Sequence, residues 1–182
     1  CELFNIFVKT NAMKSHSGMR PQDIVILLKI LTYKKNPWLM KTIAYDLSIS
    51  ASEVSESLNR SMIAKLVSSD KKKVMKKSLL EFLQYGLKYV YPQRPGPIGR
   101  GIYTAYSAKP ISSEIQSNIP IVWSHPNGQV RGQIIEPLHP SVPNACLKDP
   151  NLYELLALSD TLRVGRAREQ ELAMVMLNER IK

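Results

Sequence analysis

Apolar residues first fall into a repeating pattern at Ile24, Leu27, Leu28 and Leu31, the spacing of a helix with one buried face. Pro21 suits the first turn of that helix, because its fixed φ fits and its missing N–H would have had no partner there. Lys34, Lys35, Asn36 and Pro37 then read as a loop. A second helix is predicted from Trp38 to Leu47, with Leu39, Ile43, Ala44 and Leu47 inside. After a turn over Ser48, Ile49 and Ser50, a third helix runs from Ala51 to about Met62. Ser50 is a good N-cap and Glu53 follows three residues later, the spacing of a capping box. Val54, Leu58 and Met62 form its apolar face, and Ser52, Ser55, Glu56, Asn59 and Arg60 lie opposite.

The pattern then shortens. Leu66 and Val67 begin a short strand, residues 68–73 are polar and turn-like, and Val74 resumes the apolar run. Two short strands with a basic tip would make a wing. A plain helix–loop–helix link is the competing reading, because Lys76 to Tyr91 looks helical through Leu79, Leu80, Leu83, Leu87 and Val90. Residues 92–110 are rich in proline and glycine and are expected to form a loop without regular structure, either a linker or a functional loop. Two β-prone runs, 119–123 and 129–135, flank Asn127 and Gly128, a strong hairpin signal. Pro137, Pro140 and Pro143 mark an irregular link, and 151–181 reads as helix broken near Gly165.

These elements predict an α+β fold, mainly helical. Residues 1–18 would be an N-terminal arm or non-native extension, with Met13 and Met19 as alternative starts. Residues 19–91 would form a helical domain with a wing, and 92–182 an α+β part with a β-hairpin and terminal helices, sharing the first part's core or not.

Charge sharpens the picture. The net charge is +10, and residues 60–100 alone carry ten Lys or Arg against two Asp or Glu. That local excess points to a face for a polyanion, nucleic acid or an acidic membrane surface, against a merely solvated basic surface. No apolar run reaches membrane-spanning length, and the start lacks the basic leader of a secretory signal. Two cysteines, Cys1 and Cys146, imply no disulfide framework, so a cytoplasmic location is expected. His16, His125 and His139 are isolated from one another and lack metal-ligand spacing with Cys146. Phosphate-binding loops, dinucleotide fingerprints and nucleophile elbows are missing too, so neither enzyme chemistry nor a cofactor or metal is expected.

The stretch from Lys41 through Ala44, Leu47, Ile49, Val54 and Leu58 to Arg60, trailed by Lys65, Leu66 and Val67, resembles the winged helix-turn-helix of bacterial regulators, the broad MarR-like group included. The resemblance covers about residues 21–77 and implies double-stranded DNA as partner and a transcription-regulating role. Its residues at the interface would be Lys41, Ser50, Ser52, Ser55, Glu56, Asn59 and Arg60, with Lys71, Lys72, Lys73, Lys76 and Lys77. Small serines permit close approach to the major groove, Asn59 and Arg60 reach base edges or phosphates, and Glu56 accepts from a cytosine amine. The lysines suit phosphate contact, which is electrostatic and blind to sequence. Further on, Asp160 with Arg163 and Arg166 with Glu169 are i, i+3 pairs that read either as a salt-bridged helix surface or as an interface. On the second reading Arg163, Arg166, Arg168, Leu172, Val175 and Met176 form a homodimer or protein-partner surface. With Arg100–Ala105 and Pro120–Trp123, this stretch looks like an uncharacterised bacterial family of winged-helix proteins. The rival readings are a protein-interaction module, such as an antitoxin-like autoregulator, and a sensor with a ligand pocket in 92–145.

Overall fold

The computed structural model describes residues 18–34, 36–115 and 119–182. Nearly all of the expected N-terminal arm, with Cys1, Met13 and His16, lies outside the described residues, as does Lys35.

The fold is built around its first helix. α1 (Pro21–Thr32) begins with proline in its first turn, as expected, but it is not a one-faced surface helix. Every residue from Asp23 to Ile30 is buried, so the apolar run Ile24–Leu28 fills the centre of the molecule. α2 (Met40–Leu47) and α3 (Ala51–Ile63) pack on it from one side and α7 (Pro150–Val164) from another. Ile43, Ala44, Leu47, Val54 and Leu58 are buried between them. The turn after α2 closes with Ser48 in a left-handed conformation, which lets the Ile49 amide donate back to the Ala44 carbonyl at 2.9 Å.

A tight hairpin follows α3. Val67 and Val74 bridge antiparallel, the Met75 amide donates to the Leu66 carbonyl at 2.9 Å, and Leu66, Val67 and Val74 are buried. Residues 68–73 thus stand out as a turn held on an apolar base. α4 (Lys76–Tyr85) ends at Gly86, and one turn of helix, α5 (Leu87–Val90), continues it.

The expected loop over 92–110 is corrected here. Ile98–Tyr103 forms strand β1, which pairs antiparallel with both β2 (Ile121–Ser124) and β3 (Val130–Ile135). The predicted hairpin is corrected with it. The chain does turn at His125–Gly128, but β2 and β3 then lie parallel, Ile121 beside Gln133 and Trp123 beside Ile135. The three strands close on one another as a miniature barrel. Glycine makes this closure possible: a Cβ on Gly101 would lie 2.0 Å from the Trp123 carbonyl oxygen. Of the glycines that looked like breakers, Gly101 is where two backbones touch and Gly99 lies under the Ile134 side chain.

The link after β3 holds one further helix, α6 (Val142–Cys146), where irregular chain was expected. The terminal helices are α7 and α8 (Ala167–Ile181), separated near Gly165 as predicted. None of the described helices is long and apolar enough to cross a membrane.

Polar ties inside this core involve charge. Lys29 on α1 reaches Asp46 on α2 at 2.9 Å and Asp149, the N-cap of α7, at 2.8 Å, with Tyr33 donating to Asp46 at 2.7 Å. Burial alone would raise the Asp46 and Asp149 carboxyls, but hydrogen bonds from Lys29 hold both below the ordinary carboxylate value. Burial likewise pulls Lys29 down, and its bonds to Asp149 and Asp46 outweigh that, so it titrates above the ordinary lysine value. The depressed carboxyls stabilise the fold above their unfolded pKa of about 4, and this is lost as pH falls through the lower folded values. The raised Lys29 acts with the opposite sign: its contribution is complete below the ordinary lysine value and fades only as pH rises through the folded one. The urea midpoint should therefore drop between about pH 5 and about pH 2, and drop less in Asp149→Asn. An equally steep fall in that variant would place the acid sensitivity elsewhere.

Candidate nucleic-acid interface

The outward face of α3 is set by what the helix holds inward. Ser50 caps it, accepting from the Glu53 amide at 3.1 Å. The expected reciprocal half of the capping box is not made: the Glu53 carboxylate turns to α1 and accepts from Gln22 Nε2. One further fastening reaches α1's first turn, 37 residues away in the chain. Arg60 forks onto Asp23, Nε to Oδ2 at 2.9 Å and Nη2 to Oδ1 at 2.7 Å. Asp23 has no exposed surface, and its Oδ2 also takes the Arg20 amide at 2.8 Å. Arg60 is thereby removed from the interface assigned to it from sequence. Helical spacing put it on the polar side, but its long side chain folds back to the buried carboxylate.

With Arg60 turned in, Ser52, Ser55, Glu56 and Asn59 remain as an outer stripe, with Ile63 exposed at its end. Ser57 and Ser61 lie on the opposite, buried side, where small side chains let α3 sit close to its neighbours. The hairpin turn comes up against this stripe, because Lys71 on the turn donates to the Asn59 side-chain oxygen. Lys72 and Lys73 are exposed beside it. The turn itself is braced by Asp70 and Ser68: Asp70 Oδ1 accepts from the Lys72 amide at 3.1 Å, and Ser68 Oγ from the Lys73 amide at 3.0 Å.

The rest of the basic cluster points elsewhere. Lys76 donates to the Lys182 backbone oxygen at 2.8 Å, at the end of α8, and Lys77 stands 4.0 Å from Glu81 in open solvent. Lys41 is exposed on α2, and Ser50 is occupied by its cap. Between the chain before α2, the outer side of α3 and the hairpin turn lies a groove of about 670 Å³, lined by Trp38, Leu39, Met40, Ser55, Lys71 and Lys72 among others. Trp38, Leu39 and Met40 were expected inside helix two. Only Met40 belongs to the helix, and Leu39 and Met40 are exposed.

The C-terminal arginines divide in the same way. Arg163 is a core residue, not an interface one, and its pair with Asp160 is no surface salt bridge. It lies 2.7 Å from Asp160 and also donates to the carbonyls of Tyr91 at 3.0 Å and Glu136 at 3.1 Å. Asp160 in turn accepts from the Trp123 indole at 2.7 Å and the Thr104 hydroxyl at 3.1 Å, fastening α7 to the barrel. Burial pushes its carboxyl up, and Arg163 pulls against that. Arg166 and Arg168 are exposed at the start of α8. Glu169 takes the Arg166 backbone amide as a cap instead of pairing with its guanidinium. Val175 is exposed, whereas Leu172 and Met176 are half-buried against the core.

His125 and His139 sit in separate local networks, with Asn144 at 2.9 Å and Ser141 at 2.8 Å respectively, and Cys146 is buried. No group of His, Cys, Asp or Glu among the described residues is placed to hold a metal ion. No family model matches the chain, nor does any curated protein or solved structure.

The burial of Arg60 yields a measurable contrast. Arg60→Ala should destabilise the protein by about 3–5 kcal/mol, because it strands the Asp23 carboxylate in the core. Asn59→Ala should leave the melting temperature nearly unchanged. Asp23→Leu combined with Arg60→Met should recover much of the loss, since it removes both charges and leaves apolar volume. Thermal unfolding of the three variants tests this, and a mild Arg60→Ala would show that the pair is dispensable.

Proposed function

We propose that this chain binds double-stranded DNA as a winged helix-turn-helix regulator, with α3 in the major groove and the 66–75 hairpin as a wing against flanking phosphates. One observation carries the reading: the polar outer stripe of α3 and the lysine-bearing hairpin turn share a face and are joined by the Lys71–Asn59 contact. Two short helices meeting at a tight turn, the second presenting small polar side chains, suit insertion into a groove about 12 Å wide. Exposed lysines beside it suit the phosphate backbone, whose attraction depends on charge and not on sequence. Arg60 plays no part in this interface, and Lys76 and Lys77 are outlying.

The second element of the proposal is pairing. α8 presents Val175 beside a shallow groove shared with Tyr85 and Lys88 of the α4–α5 segment, and Tyr85 is also exposed. Two copies joined there would read two half-sites, the usual arrangement for such regulators.

Fluorescence anisotropy on labelled duplex DNA across a salt series tests the first element. Binding should weaken steeply with salt, and Lys72→Ala with Lys73→Ala should lower the slope by about 1.8, roughly 0.9 for each lost phosphate contact. An unchanged slope would mean that these lysines face solvent in the complex, and no binding at low salt would end the DNA reading. Sedimentation at low micromolar protein tests the second. A dimer that Val175→Arg converts to monomer is expected, and a wild-type monomer would remove the paired-site arrangement.

A further inference from the structure

The Asn59 amide is held between a cation and a carboxylate. Its Oδ1 accepts from Lys71 Nζ on the hairpin, and its Nδ2 donates to Glu56 Oε1 at 3.4 Å, one turn back on α3. An ammonium has only donors and an ionised carboxylate only acceptors. These two neighbours therefore dictate which end of the amide is oxygen and which is nitrogen. Each end uses one valence on its neighbour, which leaves one oxygen lone pair and one N–H for a ligand. Lys71 differs from its neighbours in a way that fits this use. Its backbone is left-handed, with φ 59°, and its side chain is half-buried over α3, while Lys72 and Lys73 are exposed.

We propose that Lys71 and Glu56 are positioning residues for Asn59, and that the amide they orient reads an adenine edge in the major groove. The remaining lone pair accepts from the adenine 6-amino group and the remaining N–H donates to N7, the paired contact that an Asn makes to adenine. This rests on the DNA-binding reading given above and adds to it a base and a division of labour. Lys72 and Lys73 hold phosphate, and Lys71 acts on specificity through Asn59. It also accounts for Glu56, a carboxylate on a face turned to a polyanion: its task is to hold the nitrogen end of the amide.

The test starts from duplexes that the wild-type protein selects from a random pool. Each adenine of the selected site is replaced in turn by 7-deazaadenine, which lacks N7, and by 2-aminopurine, which lacks the 6-amino group. At one position the wild type should lose roughly 10- to 100-fold in affinity for either analogue. Asn59→Ala should abolish that discrimination. Lys71→Met should reduce it several-fold, leave the salt slope unchanged and have no further effect in the Asn59→Ala background, while Lys71→Arg should retain it. Melting temperatures of the variants check that each is folded.

If Lys71→Met lowers the salt slope by about 0.9 and keeps the discrimination, Lys71 is a phosphate contact and the inference falls. If duplex binding is steeply salt-dependent but no adenine is required, the inference falls while the DNA-binding reading stands. If no duplex is bound, both fall.

Discussion

A carboxylate with no exposed surface must be paired, and Asp23 is paired by Arg60. This contact fixes more than the distance between two helices. A bidentate fork has one workable orientation, so it fixes the rotation of α3 about its own axis. With Arg60 pinned inward, Ser52, Ser55, Glu56 and Asn59 are left on the outer side and Ser57 and Ser61 on the buried one. Val54 and Leu58 add apolar burial to the same side, but apolar contacts tolerate small rotations that a guanidinium fork does not.

The same device recurs at the other end of α1 and on α7. Lys29 gathers a carboxylate from α2 and another from α7, and Asp160 gathers donors from β2, from the chain after β1 and from its own helix. Apolar area supplies the bulk of the stabilisation, and these buried charges set the register of one element against the next. Residues 19–91 and 92–182 are thus joined by specific bonds across a continuous core, Lys29 to Asp149 and Arg163 to the Tyr91 carbonyl.

Much of the helical frame was legible in the sequence, because its signals are local. Pro21, the Ser50 cap, the Val54–Leu58 stripe and the break near Gly165 each act within a few residues of where they are read. The errors arose where the cause is distant. Glycine and proline over 92–110 argue for loop on local grounds, and only the Trp123 carbonyl, pressed against Gly101, shows why glycine is needed in a strand. Arg60 carries no local mark of burial; its partner lies 37 residues away in an otherwise apolar run, where an acidic residue reads as a first-turn feature. The Lys71–Asn59 contact was invisible for the same reason, since it depends on how the hairpin folds back over α3. Arg163 shows the reverse: its pair with Asp160 was legible from spacing, its burial was not.

The division of α3 into an inner side that holds the core and an outer stripe that does not has an evolutionary consequence. Ser52, Ser55 and Glu56 contribute no core volume, so exchanging them incurs little folding cost. Asn59 and Lys71 are tied to each other and not to the core, so they are free to change as a pair. On the DNA-binding reading proposed above, substitutions in this stripe change what the helix contacts while the architecture beneath it stays intact, so chains with the same backbone can differ in target without loss of folding.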